Sequence, residues 1–463
     1  MEERRPRRSG KKYLFLLAVL ALTWGWVVTF RVGGTPTIEI EPEMPGIGRR
    51  TAIRVRFEET SRGLTRQMVE FVQGDRVEVL AESHHQPREP WKFWGEAVEQ
   101  DELLVEVGTE TLEGLQTGQA TIRASAWPAE TWLRHPSPVA EEVDLPVRLS
   151  PPAVQIRSSH NYVAPGGSGV VTYSVGEASV RDGVQIGDNW FPGFSLGGKE
   201  PGLRFAMFAV PFDLVDGSEI RLTATDDVGN QALVSFVDKY LPKQYRTDTI
   251  ELSDGFMGRV VPAIMAATPG VEDQGDLLQN YLWINGELRK RNAQTLIELA
   301  GESREAFLWN EVFMPMSNAQ VMSSFADRRT YRYEGEDVDQ QDHLGFDLAS
   351  VVHAEIEAAN SGVIALARYF GIYGNAVVID HGFGLMSIYG HLSSIAVSEG
   401  QTVERGQVVG RSGETGLAGG DHLHFSLLIH GRAVNPVEWW DAAWIRDRFA
   451  AKLGDAFVFQ PSN

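Results

Sequence analysis

The length and composition of the chain indicate a globular protein of about three domains rather than a single core. It has 463 residues, of which 43% are hydrophobic and 22% charged, and this composition excludes a disordered chain. A formal net charge of −20 argues against nucleic acid as a partner, because nucleic acid is bound by basic surfaces. The chain has no cysteine, so any transition-metal site must use imidazole and carboxylate ligands.

Eighteen residues from Tyr13 to Phe30 form an uncharged, mostly apolar run that follows a basic flank at residues 4–12. As an α-helix this run would span about 27 Å, close to the hydrocarbon thickness of a bilayer. The flank should stay in the cytoplasm, which places the rest of the chain in the periplasm or extracytoplasmic space. A single-pass, uncleaved anchor is therefore favoured. A cleavable signal peptide is the alternative, but Trp24 and Trp26 follow the apolar centre, where a small-residue cleavage site is expected.

Two segments of alternating polarity follow the anchor. Runs such as Thr37–Pro42 and Thr51–Phe57 alternate polar and apolar residues, which is typical of half-buried antiparallel strands. Pro151-Pro152 separates this set from a second one, which closes with a D-x-x-G-N turn at residues 226–230. Such a turn before the last strand resembles the end of bacterial immunoglobulin-like domains. We therefore predict two immunoglobulin-like β-sandwich modules, with a spacer as their simplest role.

An amphipathic pattern precedes the C-terminal region. From Leu277 to Ile297, apolar residues recur at three- and four-residue steps with charged residues between them, and the pattern ends near Gly301. The simplest interpretation is a helical connector that packs on the next domain. An inhibitory arm over a catalytic groove is the alternative.

The C-terminal region combines short apolar runs with a concentration of histidines. The runs Phe307–Trp309, Ala376–Ile379, Leu385–Tyr389 and His424–Ile429 predict a compact antiparallel β domain. Seven of the eleven histidines in the chain lie in this region. Imidazole and carboxylate ligands suit zinc when three protein ligands leave a fourth position open.

Three motifs in this region resemble those of the lysostaphin-type (LytM-like) zinc metallopeptidases. They are H-L-G-F-D from His343 to Asp347, Y-G-H-L around His391, and H-L-H-F, which contains His422 and His424. The resemblance implies that His343, Asp347 and His424 bind zinc. It also implies that His422 is the general base for the attacking water and that His391 helps to stabilise the tetrahedral intermediate.

The resemblance further implies a hydrolase that cuts peptide cross-links or stem peptides of bacterial peptidoglycan. Together with the predicted anchor, this gives a membrane-bound, extracytoplasmic zinc endopeptidase. Some proteins of this family have lost zinc ligands and activate cell-wall amidases. A regulator of that kind is the alternative, although both ligand motifs are intact here. The sequence does not specify a divisome or amidase partner.

The expected fold is mainly β, with six segments in the chain. They are a basic flank and transmembrane anchor (1–31), a β-sandwich-like module (32–150), an immunoglobulin-like β module (151–245), a helical connector (246–306), a zinc metallopeptidase domain (307–445, with the family resemblance at about 311–440) and a C-terminal tail (446–463). Three further histidines, His353, His381 and His430, match no ligand position and are expected in the core or on the surface. The acidic segment Thr330–Asp342 is expected to be a solvated loop rather than part of the groove.

Overall fold

A computed structural model describes residues 10–197, 200 and 202–461 of the chain. The fold is mainly β with few helices, as predicted. The chain forms two compact units, of which the first comprises Met1–Pro152 with Thr225–Gln231, and the second comprises Ala153–Ala224 with Ala232–Asn463. The predicted basic flank lies mostly outside the described residues, which include only Lys11 and Lys12 of its basic side chains.

The first unit contains one apolar helix and two antiparallel sheets around a common core. The helix α1 (Gly10–Phe30) is long and apolar enough to cross a membrane, and its side chains are mostly exposed. The strands are β1 (Thr37–Pro42), β2 (Thr51–Glu58), β3 (Arg66–Gln73), β4 (Arg76–His84), β5 (Gln100–Val107), β6 (Gly118–Trp127) and β7 (Val139–Val147). They pair in the orders β1-β2-β5 and β4-β3-β6-β7. Alternate residues of β2, including Val55 and Phe57, enter the core, which explains the period of two in the sequence.

The β module that follows is built from two four-stranded sheets, and all of it except residues 225–231 belongs to the second unit. Its strands are β8 (Val154–Ile156), β9 (Tyr162–Val163), β10 (Ser168–Val175), β11 (Ser179–Ile186), β12 (Asn189–Pro192), β13 (Phe194–Ser195), β14 (Leu203–Ala209), β15 (Ile220–Asp226), β16 (Gln231–Ser235) and β17 (Lys239–Tyr240). The sheets have the orders β13-β14-β10-β8 and β12-β11-β15-β16, and β17 pairs with β9. The immunoglobulin-like character of this module and of the first one stays a prediction.

A strand and a group of helices connect this module to the C-terminal domain. They are β18 (Thr247–Glu251), α2 (Asp254–Ala267), α3 (Leu277–Trp283), a π-helical turn (Ile284–Leu288) and α4 (Arg289–Gly301). The end of the helical pattern at Gly301 is confirmed. The helix α2 lies outside the segment whose periodicity predicted helix. It begins at an N-cap, where the Ser253 side chain accepts a hydrogen bond from the backbone of Phe256.

The C-terminal domain is built on one large antiparallel sheet, as predicted. Its strands are β19 (Gln320–Ser323), β20 (Asp327–Tyr333), β21 (Glu336–His343), β22 (Phe346–Ala349), β23 (Glu355–Glu357), β24 (Gly362–Tyr369), β25 (Asn375–Gly382), β26 (Leu385–Leu392), β27 (Ser394–Ile395), β28 (Thr402–Val403), β29 (Val408–Arg411), β30 (Leu423–Ile429) and β31 (Arg432–Val434). The sheet has the order β19-β22-β30-β26-β25-β24-β28, with β31 beside β30. The helices α5 (Pro436–Trp439), α6 (Ala442–Trp444) and α7 (Ala451–Leu453), with a π-helical turn at Ile445–Ala450, follow it.

Two local predictions in this domain were wrong. Residues 307–309 form no strand, because Phe307 and Trp309 instead pack among aromatic side chains that include Phe449 and Phe457. The segment Thr330–Asp342 is not a solvated loop, because it belongs to the hairpin of β20 and β21, and β20 pairs in parallel with β18.

The second β module and the C-terminal domain share one hydrophobic core. The ring of Phe383 lies 5.0 Å from those of Phe194 and Phe205, and the Ser168 backbone and hydroxyl donate to the Glu438 carboxylate at 2.8 Å. This module is therefore docked on the C-terminal domain within the second unit, and its role as a spacer stays a prediction.

Candidate active site

Three side chains converge where the end of β21 meets the paired strands β22 and β30 of the large sheet. His343 ends β21, while Asp347 on β22 lies directly opposite His424 on β30. Asp347 Oδ1 is 3.0 Å from His343 Nε2 and 3.0 Å from His424 Nδ1, and the two ring nitrogens are 3.1 Å apart. All three residues are buried, and they form a group that could hold a metal ion.

The outer contacts of the two rings determine where their protons lie. His343 Nδ1 donates to the Ser324 carbonyl at 3.0 Å. The Ser426 hydroxyl donates to the Leu344 carbonyl, so its oxygen accepts from His424 Nε2 at 2.9 Å. In the neutral rings, both inward nitrogens therefore carry lone pairs. Two lone pairs and a carboxylate oxygen then face one another without a proton between them, which is an arrangement that a cation stabilises.

The geometry of this group fits a zinc-type ion. Ligands at about 2.0–2.1 Å in a tetrahedron lie roughly 3.3 Å apart, close to the distances between these three atoms. Outer hydrogen bonds from ligand rings to a carbonyl and a hydroxyl are the usual support of such a site. A Cβ atom at Gly345 would lie 2.5 Å from Ser426 Oγ and 2.7 Å from His424 Nε2, which explains the glycine within H-L-G-F-D.

Asp347 is held on both sides by basic groups. Its Oδ2 accepts a hydrogen bond of 2.8 Å from Arg329 Nη2, on the side away from the histidines. Burial opposes ionisation of Asp347, but the basic groups around it, His343 first and then His422 and His424, hold the pKa of its carboxyl well below the usual value whenever their rings carry the protons that a metal ion would displace. The carboxylate is therefore ionised at neutral pH and available as a ligand.

His391 and His422 lie beside this group with their ring centroids 4.8 Å apart. His391 Nδ1 donates to the Thr415 carbonyl and His422 Nδ1 to the Gly420 carbonyl, each at 2.8 Å. With both Nδ1 atoms engaged, the Nε2 atoms are the ones available to a reactant. His422 Nε2 is 3.5 Å from Asp347 Oδ1, so it faces the three converging side chains.

His391 and His422 differ in backbone conformation and in the direction in which their surroundings shift the pKa. His391 has a φ of +63°, in the left-handed region that few non-glycine residues adopt. Burial, with the neighbouring His422 and His424, lowers the pKa of His391 well below its ordinary value. Burial also opposes protonation of His422, but its hydrogen bond to Asp347 raises the pKa. His422 lies one residue before β30, in an isolated bridge with Gly413.

The five side chains line a cavity of about 520 Å³, whose walls come from several parts of the second unit, including β18 with Asp248 and Glu251. The hairpin of β20 and β21 contributes Arg329 and Tyr331, and the loops of the C-terminal domain contribute Tyr373 and Leu417. The helical segment contributes Phe256, Tyr281, Arg289 and Ala293. The helices therefore form one wall of the cavity, which agrees with the alternative of an arm at the groove, while the inhibitory role of that arm stays a prediction.

The helix α4 is fixed to a turn that carries one of these wall residues. Asn292 is buried, and its Oδ1 accepts a hydrogen bond of 3.1 Å from the backbone of Ile372. Gly371 has a φ of +51°, and a Cβ atom there would lie 2.4 Å from Asn292 Oδ1. Tyr373, the last residue of this turn, places its ring 5.5 Å from the ring of His424. Packing of α4 thus helps to shape the cavity next to the converging side chains.

Arg289 is a cavity residue whose guanidinium is bound by an amide and not by a carboxylate. Its Nε donates to the Asn285 carbonyl at 3.0 Å and its Nη2 to Asn285 Oδ1 at 2.6 Å. Asn285 is oriented in turn by donating to Asp339 at 2.7 Å. Among the described residues, Arg289 forms no ion pair within 4.0 Å. Since a guanidinium has five N–H donors, Arg289 retains donors for an anionic ligand.

The remaining histidines of the domain lie elsewhere. His353 is exposed at the surface, whereas His381 is buried between the Ser361 carbonyl and the Ser387 hydroxyl. His430 packs on Phe194 of the second β module. None of the three lines the cavity.

Sequence reasoning missed Arg329, Tyr331, Arg289 and Tyr373 as site residues. Arg329 and Tyr331 alternate along β20, so recognising the strand would have placed both on one face. Tyr281, Asn285 and Arg289 recur at four-residue steps, a polar and aromatic row that was available as a signal on the helix.

Comparison with known proteins gives a partial match. Residues 341–436 match the profile of Peptidase family M23. A segment of 96 residues is 43% identical to peptidoglycan DD-endopeptidase ShyA of Vibrio cholerae, and it covers 21% of this chain and 22% of that protein. A segment of 95 residues is 42% identical to DD-carboxypeptidase/endopeptidase Mpg of Neisseria meningitidis, covering 20% and 22% of the two proteins.

A further relative is named as an activator of a hydrolase and not as a peptidase. Murein hydrolase activator EnvC of Escherichia coli is 40% identical over 85 residues, which is 18% of this chain and 20% of that protein. The matched segments thus span only about a fifth of the length of these relatives.

Proposed function

Because residues 341–436 form a peptidase family M23 domain, we propose that the chain is a zinc metalloendopeptidase that hydrolyses peptide bonds of peptidoglycan cross-links or stem peptides. The observation that carries the proposal is the convergence of His343, Asp347 and His424 beside two further histidines in one cavity. The relatives ShyA and Mpg, which are named for cleavage of DD bonds, support the substrate class.

His343 Nε2, Asp347 Oδ1 and His424 Nδ1 would hold the zinc ion. Once bound, the ion would supply Lewis-acid polarisation of the scissile carbonyl and would acidify water. Arg329 would keep the Asp347 carboxylate oriented through its second oxygen.

His422 and His391 would handle protons. His422 Nε2 would accept a proton from the water that adds to the carbonyl carbon, and that proton would pass to the leaving amine as the C–N bond breaks. His391 Nδ1 already donates to the Thr415 carbonyl, so its Nε2 would donate to the developing oxyanion once the ring is protonated. The lowered pKa disfavours that protonation in the free cavity, whereas the negative charge of the oxyanion would favour it. Both roles need the free Nε2 atoms that the carbonyl contacts leave in the cavity.

Arg289 would bind a carboxylate of the peptide substrate. Stem peptides end in a carboxylate, and a guanidinium with unpaired donors recognises such a group well. The wall formed by α4 and its neighbouring turn would then orient the peptide relative to the catalytic histidines.

The proposed location is the cell membrane, with α1 as a single-pass anchor and the second unit in the periplasm or extracytoplasmic space. The exposed apolar surface of α1 and the extracytoplasmic position of peptidoglycan support this location. We also retain the two β modules as immunoglobulin-like, an assignment supported by their paired sheets and turn pattern.

Activation of another murein hydrolase is the second candidate function. It is favoured by the similarity to EnvC, and it requires no hydrolysis by this chain.

Incubation of the full chain with purified peptidoglycan distinguishes the two functions. We expect mass spectrometry of the muropeptides to show a loss of cross-linked dimers that a chelator prevents. The variant His353→Ala, which alters an exposed histidine outside the cavity, should behave as wild type. Bound zinc without cleavage, combined with stimulation of a purified amidase, would replace the peptidase proposal by the activator.

A further inference from the structure

We propose that two loops of the first unit insert aromatic side chains into the interface of the bilayer that α1 enters, an inference that rests on the proposed membrane anchor. The first interface loop comprises residues 85–99, between β4 and β5. The second interface loop comprises residues 128–138, between β6 and β7. Both loops are joined directly to the end of α1.

The first interface loop is tied to the chain as it leaves the helix. Arg31 Nη1 donates to the Pro90 carbonyl at 2.9 Å, and Nη2 donates to the Ser61 carbonyl at 3.3 Å. The Arg31 guanidinium also lies 3.9 Å from the ring centroid of Phe93, in a cation–π contact. These contacts hold the loop beside the last turn of α1.

The second interface loop makes equivalent contacts on the same segment. The Thr131 hydroxyl donates to the Thr29 carbonyl at 2.7 Å, and the backbone of Gly33 donates to the Ala129 carbonyl at 2.7 Å. A Cβ atom at Gly33 would lie 2.6 Å from the backbone nitrogen of Ala129, so the close approach requires glycine. If α1 crosses the bilayer, its end lies among the lipid headgroups, and both loops share that depth.

Large apolar side chains of the two loops, three of them aromatic, are exposed. Trp94 is 77% exposed and Phe93 is 59% exposed in the first interface loop, and Trp132 is 72% exposed and Leu133 is 51% exposed in the second. Tryptophan is enriched where the bilayer meets water, because its ring is apolar and its indole N–H can still find a polar partner. The loops carry acidic as well as basic residues, so electrostatic attraction to lipid headgroups does not account for the proposed contact with the bilayer.

Continuity with α1 identifies the bilayer as the partner of this surface. The loops cannot move away from the membrane without breaking the contacts to residues 29–33. The exposed Trp94 and Trp132 directly follow Phe93 and Thr131, which make two of those contacts. The first unit would therefore be fixed at the membrane surface instead of swinging freely on its anchor.

The absence of cysteine makes a site-specific test possible in the full chain. Single variants Trp94→Cys and Trp132→Cys would carry an environment-sensitive fluorophore after reconstitution into phospholipid vesicles with quenchers attached near the headgroups. Val77→Cys is the matched control, because Val77 is 54% exposed but lies at the opposite end of β4 from the first interface loop. Val77 lies seven residues before His84 on this strand, a distance of roughly 23 Å.

We expect blue-shifted emission and several-fold stronger quenching by the lipids at positions 94 and 132 than at position 77. Flotation of the vesicles, carried out on the same samples, tests the proposed anchor separately from the proposed interface loops. Vesicle-bound protein whose labels at 94 and 132 match that at 77 would overturn the interface loops while leaving the anchor intact. Protein that does not float with the vesicles would overturn both.

Discussion

At the residue scale, the contacts of Asp347 connect the proposed metal ligands with their surroundings. One oxygen faces His343 and His424, and the other faces Arg329. A buried carboxylate in this position is stable only while it is paired with positive charge or hydrogen-bond donors. The side chains around Asp347 should therefore affect metal binding even when they do not touch the metal.

Replacement of Arg329 tests this dependence. Arg329→Gln removes the charged partner of Asp347, and we expect zinc affinity to fall about 10- to 100-fold, as for other outer-sphere partners of metal ligands. Competition with a chromophoric chelator measures the affinity. The control is Arg328→Gln, because Arg328 is more exposed and pairs with Asp342 instead. Equal zinc affinity in the two variants would rule out the role of Arg329.

A variant of a proposed zinc ligand and a variant of the proposed general base should differ in metal content. His343→Ala removes a ligand and should lose zinc, whereas His422→Ala should keep zinc and lose about 100-fold or more of the hydrolysis rate, because it removes only the proton acceptor. Elemental analysis and muropeptide release on the same preparations give both values. Near wild-type turnover by His422→Ala would refute the general-base assignment.

Arg289 provides a test of substrate binding. Arg289→Gln should lower kcat/KM by about 10- to 100-fold, mainly through KM, because it removes a hydrogen bond to a charged group. Arg291→Gln is the control, since Arg291 lies on the same helix and pairs with Glu287 outside the cavity. A substrate whose terminal carboxylate is converted to an amide should be insensitive to Arg289→Gln. A loss of the same size on that amide would exclude carboxylate recognition.

At the element scale, the junction between α5 and the second β module contains a buried carboxylate. Burial raises the pKa of Glu438 to about 7, against hydrogen bonds from Ser168 and the nearby charges of Lys243 and Arg448. The folded state therefore binds this proton more tightly than the unfolded state. The stabilising effect of the proton is complete below about pH 4.5 and is lost as the pH rises toward 7.

The variant Glu438→Gln removes this titration. The free energy of unfolding of wild type relative to the variant should fall by about 3 kcal/mol between pH 4.5 and 7.5, and melting temperatures measured across this range report the trend. Subtracting the variant cancels the other carboxylates. Glu404→Gln, at an exposed position, should show no such pH dependence. A constant difference between wild type and Glu438→Gln would contradict the buried-carboxyl account.

Secondary structure could be predicted from the sequence where the apolar residues follow a single periodicity. Strands such as β2 were predicted because every second side chain enters a core. The helix α2 was missed because Gly255, Gly258 and Pro262 weaken its helical signal, and its stability comes from packing against α3 and neighbouring residues. Residues 307–309 were predicted as a strand because apolar residues alone do not distinguish a strand from an irregular buried segment.

At the scale of the whole molecule, the cavity combines segments that are far apart in the sequence. The five histidine and aspartate positions lie in short motifs, so they could be selected from the sequence, although their roles stay predictions. The residues of the cavity walls could not be selected from the sequence, because contacts between α4, the turn at Gly371 and the hairpin of β20 and β21 depend on tertiary packing. The same holds for the loops at the end of α1.

The most direct test of the account measures bound zinc and hydrolysis on the same samples of the full chain. The metal is removed with a chelator, zinc is returned in steps, and cleavage of purified peptidoglycan is followed at each step. We predict a rate that rises in proportion to bound zinc and levels off at one ion per chain, with no such response in His343→Ala. Full hydrolysis by the zinc-free chain, or one bound zinc without any cleavage, would contradict the proposed enzyme.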